Sequence, residues 1–321
     1  MLGRLNALLA DLSVLAEPLG WLTLAVFLTA IVLEYVDREY ARYGYVCGWV
    51  LFAGFWFTLI QPFLVADESV IRGIGALVAV PLALLVAKTF YEGRDSLFTL
   101  SRAVVFMGLI YVPFLLIEPL REQLILLVTN HTAFVMDLLG YDPTVVTTLD
   151  EIGVEREISG KEEMYENSFV FQGGSITYTI LLTCTGIGSV AVITGLIAAV
   201  DAPIRRKLQA TALVVPVIYV LNIVRNVFIG LNYGHQYMHF FPDSTMTVFS
   251  LDTSLRVSYI WADRIIAQSA SVIALILIIW AVVRILPEVL GPIEDVLYLL
   301  TGEEHDLAAA LDLEREPTPA D

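Results

Sequence analysis

The stretch Leu208–Gly230 reads LQATALVVPVIYVLNIVRNVFIG, and it decides what kind of protein this is. It holds 23 residues and a single charge, Arg225. A helix that crosses a bilayer needs about 20 predominantly apolar residues, since each adds about 1.5 Å of rise across a hydrocarbon layer roughly 30 Å thick. Leu208–Gly230 is long enough. An ionisable group inside such a segment is costly, so Arg225 becomes a functional candidate by default.

Six more apolar stretches flank it: Leu19–Tyr35, Tyr45–Ala66, Val70–Phe90, Ala103–Glu118, Ile176–Val200 and Arg264–Leu286. Hydrophobic residues make up 57% of the 321 and charged residues 16%. A soluble domain is closer to half apolar and a quarter charged. The composition therefore excludes a soluble enzyme and a disordered chain. The net charge is −16, and Lys88, Lys161 and Lys207 are the only lysines. Such a chain repels nucleic acid, which is excluded as a partner. The acids gather in Asp142–Glu166 and Glu288–Asp321, outside the apolar stretches. That placement suits exposed surfaces in molar salt, where self-repulsion is screened within a few ångströms.

These patterns predict an all-α polytopic membrane protein with seven to eight transmembrane helices. Residues 1–18 are apolar but broken by Arg4, Asp11 and Glu17. They read as an amphipathic segment or a short span, without the features of a signal peptide. Residues 19–121 form a four-helix membrane part. Residues 122–141 carry Asn130, His131, Thr132 and Asp137 and read as re-entrant or interfacial. If they do not span, Arg38, Arg42, Lys88, Arg94, Arg102 and Arg205–Lys207 all share one side, which the positive-inside rule makes cytoplasmic. Residues 142–175 are then an acidic extracellular loop. Within it Thr144–Leu149 and Ser168–Gln172 could pair as a small hairpin, with Gly173-Gly174 turning into the next helix. Residues 176–286 form a three-helix part that holds the chemistry. Residues 287–321 are an acidic cytoplasmic tail that ends in Glu-Pro-Thr-Pro-Ala-Asp and reads as disordered.

Cys184 falls in the Ile176–Val200 stretch, about 12 Å from its outer start by helix rise. Arg225 lies about 7–8 Å from the outer end of its own stretch. Arg264 opens the last one. Three helices thus present these residues in the outer third of the membrane. A cysteine attacks as its thiolate, which a neighbouring arginine favours. Arginine cannot be the general base but can hold a thiolate, an oxyanion or a carboxylate. Together they suggest acyl transfer through a thioester. Asn222 shares the Arg225 face and Gln268 the Arg264 face. Taken singly, a membrane cysteine is more often a small hydrophobe, and Arg264 could simply reach for the interface. His235 and His239 have the spacing of a zinc motif without its glutamate. His131 could face the same outer site. No metal and no cofactor is expected. Cys47 lies near the opposite end of the bilayer from Cys184, too far for a disulfide.

The constellation resembles the exosortase/archaeosortase family of membrane transpeptidases. The matching residues are T-C-T-G-I-G-S around Cys184, N-I-V-R-N around Arg225 and A-D-R ending at Arg264. Their order and their gaps of about forty residues also fit the pattern read along the chain. Arginine in the third place resembles the archaeal branch, where bacterial members carry histidine.

The resemblance implies an enzyme at the extracellular face that processes secreted proteins such as S-layer glycoprotein. Those substrates end in a PGF-CTERM signal, made of a Pro-Gly-Phe motif, an apolar helix and a basic tail. Cys184 would form the thioester. Arg225 would stabilise thiolate or oxyanion, and Arg264 would stabilise the oxyanion or orient substrate. An archaeal membrane lipid would accept the new C-terminus. The rival reading is a secondary transporter with Arg225 in an anion site. It lacks the internal repeats common in that class.

Overall fold

The computed structural model describes residues 12–63, 70–158, 161, 164–249 and 251–313. Expectations for residues 1–11 and 314–321 lie outside it. The chain divides into two compact units. One comprises residues 1–108, 195–203 and 286–321, and the other 109–194 and 204–285.

The chain is mostly helical. Among the described residues its first four long helices are α1 (Ala16–Glu34), α2 (Arg38–Gln61), α3 (Val70–Tyr91) and α4 (Leu97–Leu116). Asp37 starts α2: its carboxylate accepts the backbone N–H groups of Glu39 at 2.8 Å and Tyr40 at 3.3 Å. That satisfies two donors which a helix terminus otherwise leaves unpaired. In the first unit α2 packs against both α1 and α3. The contact is aromatic. Phe27, Tyr45, Trp49, Phe90 and Phe98 are all buried, and the Phe90 and Phe98 rings meet edge to face at 4.8 Å.

The C-terminal segment belongs to this unit, and residues 287–313 are ordered rather than a loose tail. They form α10 (Leu290–Thr301) and α11 (Leu307–Ala310). Arg94 bonds the buried Asp295 at 2.9 Å and Glu304 at 2.7 Å, and lies over the Tyr298 ring at 3.8 Å. Ser96 donates to Asp295 at 2.6 Å. The acids that suggested disorder are what pins the segment.

The second unit contains α5 (Glu118–Leu138), a sheet, α7 (Ile204–Gly234) and α9 (Ser254–Ile285). α8 (Pro242–Phe249) joins α7 to α9. α5 is an unbroken helix packed on α7, with His131 Nδ1 2.7 Å from the Tyr219 hydroxyl. The sheet runs β1 (Thr144–Val146), β2 (Ser168–Phe171) and β3 (Ile176–Thr179), all antiparallel. Ser168 pairs with Thr179, and Phe171 with Ile176. Gly173 and Gly174 have φ of 62° and 89° and turn β2 into a third strand, not into a helix. Glu151 fixes the approach by accepting the Thr147 and Thr148 N–H groups, both at 2.9 Å. Those bonds hold its carboxyl below the ordinary range.

The expected span Ile176–Val200 is therefore corrected. Ile176, Tyr178 and Ile180 point inward while Thr177 and Thr179 are half-buried, the alternation of a strand. Only α6 (Ile187–Ala199) is helical there, 13 residues or about 20 Å. Among the described residues six helices are long and apolar enough to cross a membrane: α1, α2, α3, α4, α7 and α9.

Candidate active site

Cys184 lies in the link between β3 and α6. Leu182–Cys184 is a single tight turn, closed by the Cys184 N–H donating to the Leu181 carbonyl at 2.8 Å. The depth inferred from helix rise does not apply to it. Gly186 then takes φ +81° and α6 begins at Ile187. A Cβ at Gly186 would meet Asn222 Cγ at 3.1 Å in a backbone conformation that side chains rarely adopt. The cysteine is half-buried.

Its peptide is gripped from α7. The Cys184 carbonyl accepts Asn222 Nδ2 at 2.7 Å and Asn226 Nδ2 at 2.9 Å. Tyr178 on β3 donates its hydroxyl to Asn226 Oδ1 at 2.9 Å. Burial pushes the Tyr178 phenol far above its ordinary range, which keeps it a donor. Asn226 is fully buried and Asn222 nearly so.

Arg225 projects from the same turn of α7. Its Nη2 bonds Asp263 Oδ1 at 2.7 Å, and Arg264 Nε lies 3.7 Å from Asp263 Oδ2. One carboxylate thus holds both guanidinium groups, each on a different oxygen. Arg225 Nε is buried and has no partner among the described residues. An unpaired buried donor costs about 1–3 kcal/mol. Cys184 and Arg225 lie within electrostatic reach of one another, and Tyr178 and Tyr259 feel the cysteine as well.

Asp263 and Arg264 sit in Ile260–Ala267, a π-helical segment inside α9. Such insertions are frequent at functional sites. Arg264 does not open the last helix: α9 begins at Ser254, about 15 Å earlier. Arg225 lies about 14 Å from the end of α7 at Gly234. The Gln236 side chain joins these two helix ends, donating to the Tyr233 and Leu255 carbonyls. The two arginines therefore stand at matching heights, deeper than the sequence suggested.

The remaining candidates separate from this cluster. Gln268 starts the regular part of α9 and is half-buried. His235 packs among Tyr237, Tyr141 and Phe171, and His239 faces Gln236 at 3.2 Å. Asp263 is the site residue that sequence reasoning passed over. It stands beside Arg264 in the A-D-R motif, and Arg225 had no acid within its own helix. A buried cation needs a counter-charge, and that need was the available signal.

A family model described as transmembrane exosortase matches residues 15–255. Archaeosortase A of Haloferax volcanii is 39% identical over 312 residues, covering 94% of this chain and 99% of the relative. Archaeosortase A of Natronomonas pharaonis is 38% identical over 305 residues, covering 91% and 92%. No solved structure matches the chain.

Proposed function

The chain belongs to the transmembrane exosortase family, and on that premise we propose that it is a cysteine transpeptidase with Cys184 as nucleophile. It is a multi-pass membrane protein with a sortase-like protein-processing function. The proposal adds the chemistry. One observation carries it: the turn of α7 that grips the Cys184 peptide also carries Arg225, which shares Asp263 with Arg264.

In this reading the Cys184 sulfur attacks a peptide carbonyl of a secreted substrate at its PGF-CTERM signal. The S–C bond forms, the C–N bond breaks, and the thiol proton ends on the leaving amine. The negative oxygen of the tetrahedral intermediate is met by Arg225, whose Nε donor has no partner among the described residues, with Arg264 helping to stabilise or orient it. A hydroxyl or amine on an archaeal lipid head group then attacks the thioester. The C–S bond breaks and the acceptor's proton returns to sulfur. Substrates such as S-layer glycoprotein are cut after translocation, so the site works at the extracellular face. The sheet supports that orientation, because it adjoins the end of α7 opposite Arg205–Lys207. The transporter reading is weakened by the Arg225–Asp263 pair, which neutralises the proposed anion site.

The test is Cys184→Ala in cells that make a secreted reporter with a Pro-Gly-Phe signal. The precursor is expected to accumulate with its C-terminal helix attached. Normal appearance of the mature, lipid-linked reporter would refute the proposal.

A further inference from the structure

We propose that Asn222, Asn226 and Tyr178 are positioning residues, which hold the Cys184 peptide in register with the Arg225 guanidinium. The proposal rests on the reading of Cys184 as nucleophile.

Cys184 sits in a three-residue turn, which by itself places a side chain loosely. Two side-chain amides converge on its carbonyl, at 2.7 and 2.9 Å, and so occupy both lone pairs. They come from positions 222 and 226, one helical turn apart on α7, and Arg225 lies between them. Nucleophile and cation are therefore referred to the same turn of one helix. A shift of α7 would carry both together.

The orientation of the Asn226 amide is itself determined. The Cys184 carbonyl can only accept, so Nδ2 must be the end that faces it, which leaves Oδ1 to accept the Tyr178 hydroxyl. This chain of bonds ties the cysteine to the sheet as well as to α7. Gly186 completes the fit, since any larger residue there would press on Asn222. A merely structural role would satisfy the carbonyl equally well. The difference is that displacement of about 1 Å at a reacting atom costs on the order of 100-fold in rate without weakening substrate binding.

The experiment uses the full-length protein in lipid nanodiscs with Cys47→Ser, which leaves Cys184 as its only thiol. Two probes are used: cleavage of a peptide containing Pro-Gly-Phe, and alkylation of Cys184 by iodoacetamide. Asn226→Asp removes the donor and sets a carboxylate against the carbonyl. It is expected to lower kcat about 100-fold with KM within about twofold. Tyr178→Phe keeps the ring and should lower kcat about tenfold at an unchanged melting temperature, with a changed alkylation rate. Adding Tyr178→Phe to Asn226→Asp should lower kcat no further, because the tyrosine acts through the amide. Should Asn226→Asp fail to fold, Tyr178→Phe and Asn222→Ser decide the question. Parental kcat and alkylation rate in both would overturn the proposal, as would losses that merely track the folded fraction. Cleavage that survives Cys184→Ala would instead overturn the nucleophile reading itself.

Discussion

Asp263 sets the charge balance of the site. Its two oxygens face Arg225 at 2.7 Å and Arg264 at 3.7 Å, and it is 8% exposed. Asp263→Asn leaves two neighbouring cations without their counter-charge. It should destabilise the protein by about 2 kcal/mol, below the usual range for a buried pair because Arg225 is partly exposed. Thermal unfolding in detergent measures this; an unchanged midpoint would contradict it. Arg225→Lys keeps the charge but loses the planar fork that can serve Asp263 and substrate together. Peptide cleavage should fall at least about 100-fold with the fold intact. At this scale the sequence was readable where a residue broke its surroundings: Arg225 stands out in an apolar helix. Asp263 did not, because it looked like part of a polar helix end. Its partner is 38 positions away on another helix.

The elements were readable in proportion to their length. Long apolar runs appear as α1 to α4, α7 and α9. The failure at Ile176–Val200 has a simple physical source. A buried strand, a tight turn and a short helix in succession present the same continuous apolarity as one span. The strand signal was present in the alternation Ile176-Thr-Tyr-Thr179, but it is only four residues long. Polar residues hid the start of α9, whose first turns carry Ser254, Arg256, Ser258 and Asp263 among apolar ones. The sheet is locked to α7 at Gly234, where an added Cβ would come within 2.3 Å of Phe171 Cγ. Gly234→Ala should therefore lower stability by about 1–3 kcal/mol by forcing β2 off the helix. Thermal unfolding at the parental midpoint would show instead that the contact yields easily.

For the whole molecule, the acidic surplus is not merely a response to salt. Part of it is structural, in Asp295 and Glu304 on Arg94. Arg94 holds the Glu304 carboxyl below its ordinary range. A lowered folded value means the contact stabilises the fold above the unfolded value, near 4.3. That contribution is lost as the pH falls through the still lower folded value. Amide protection factors in Leu290–Thr301 should therefore hold at pH 6 and drop below about pH 4. Equal protection at both would show that Glu304 does not pin the segment. Neither composition nor charge revealed this docking, since an acidic C-terminus reads as a solvated tail unless its arginine partner is known.

The central claim is that Cys184 becomes acylated by substrate. The direct measurement is mass spectrometry of acid-quenched, purified protein after mixing with a Pro-Gly-Phe peptide. The account predicts a substrate acyl adduct on the fragment containing Cys184. It should be released by hydroxylamine and absent from Cys184→Ser. Full peptide turnover with no adduct on that fragment at any quench time, or with undiminished turnover by Cys184→Ala, would contradict it.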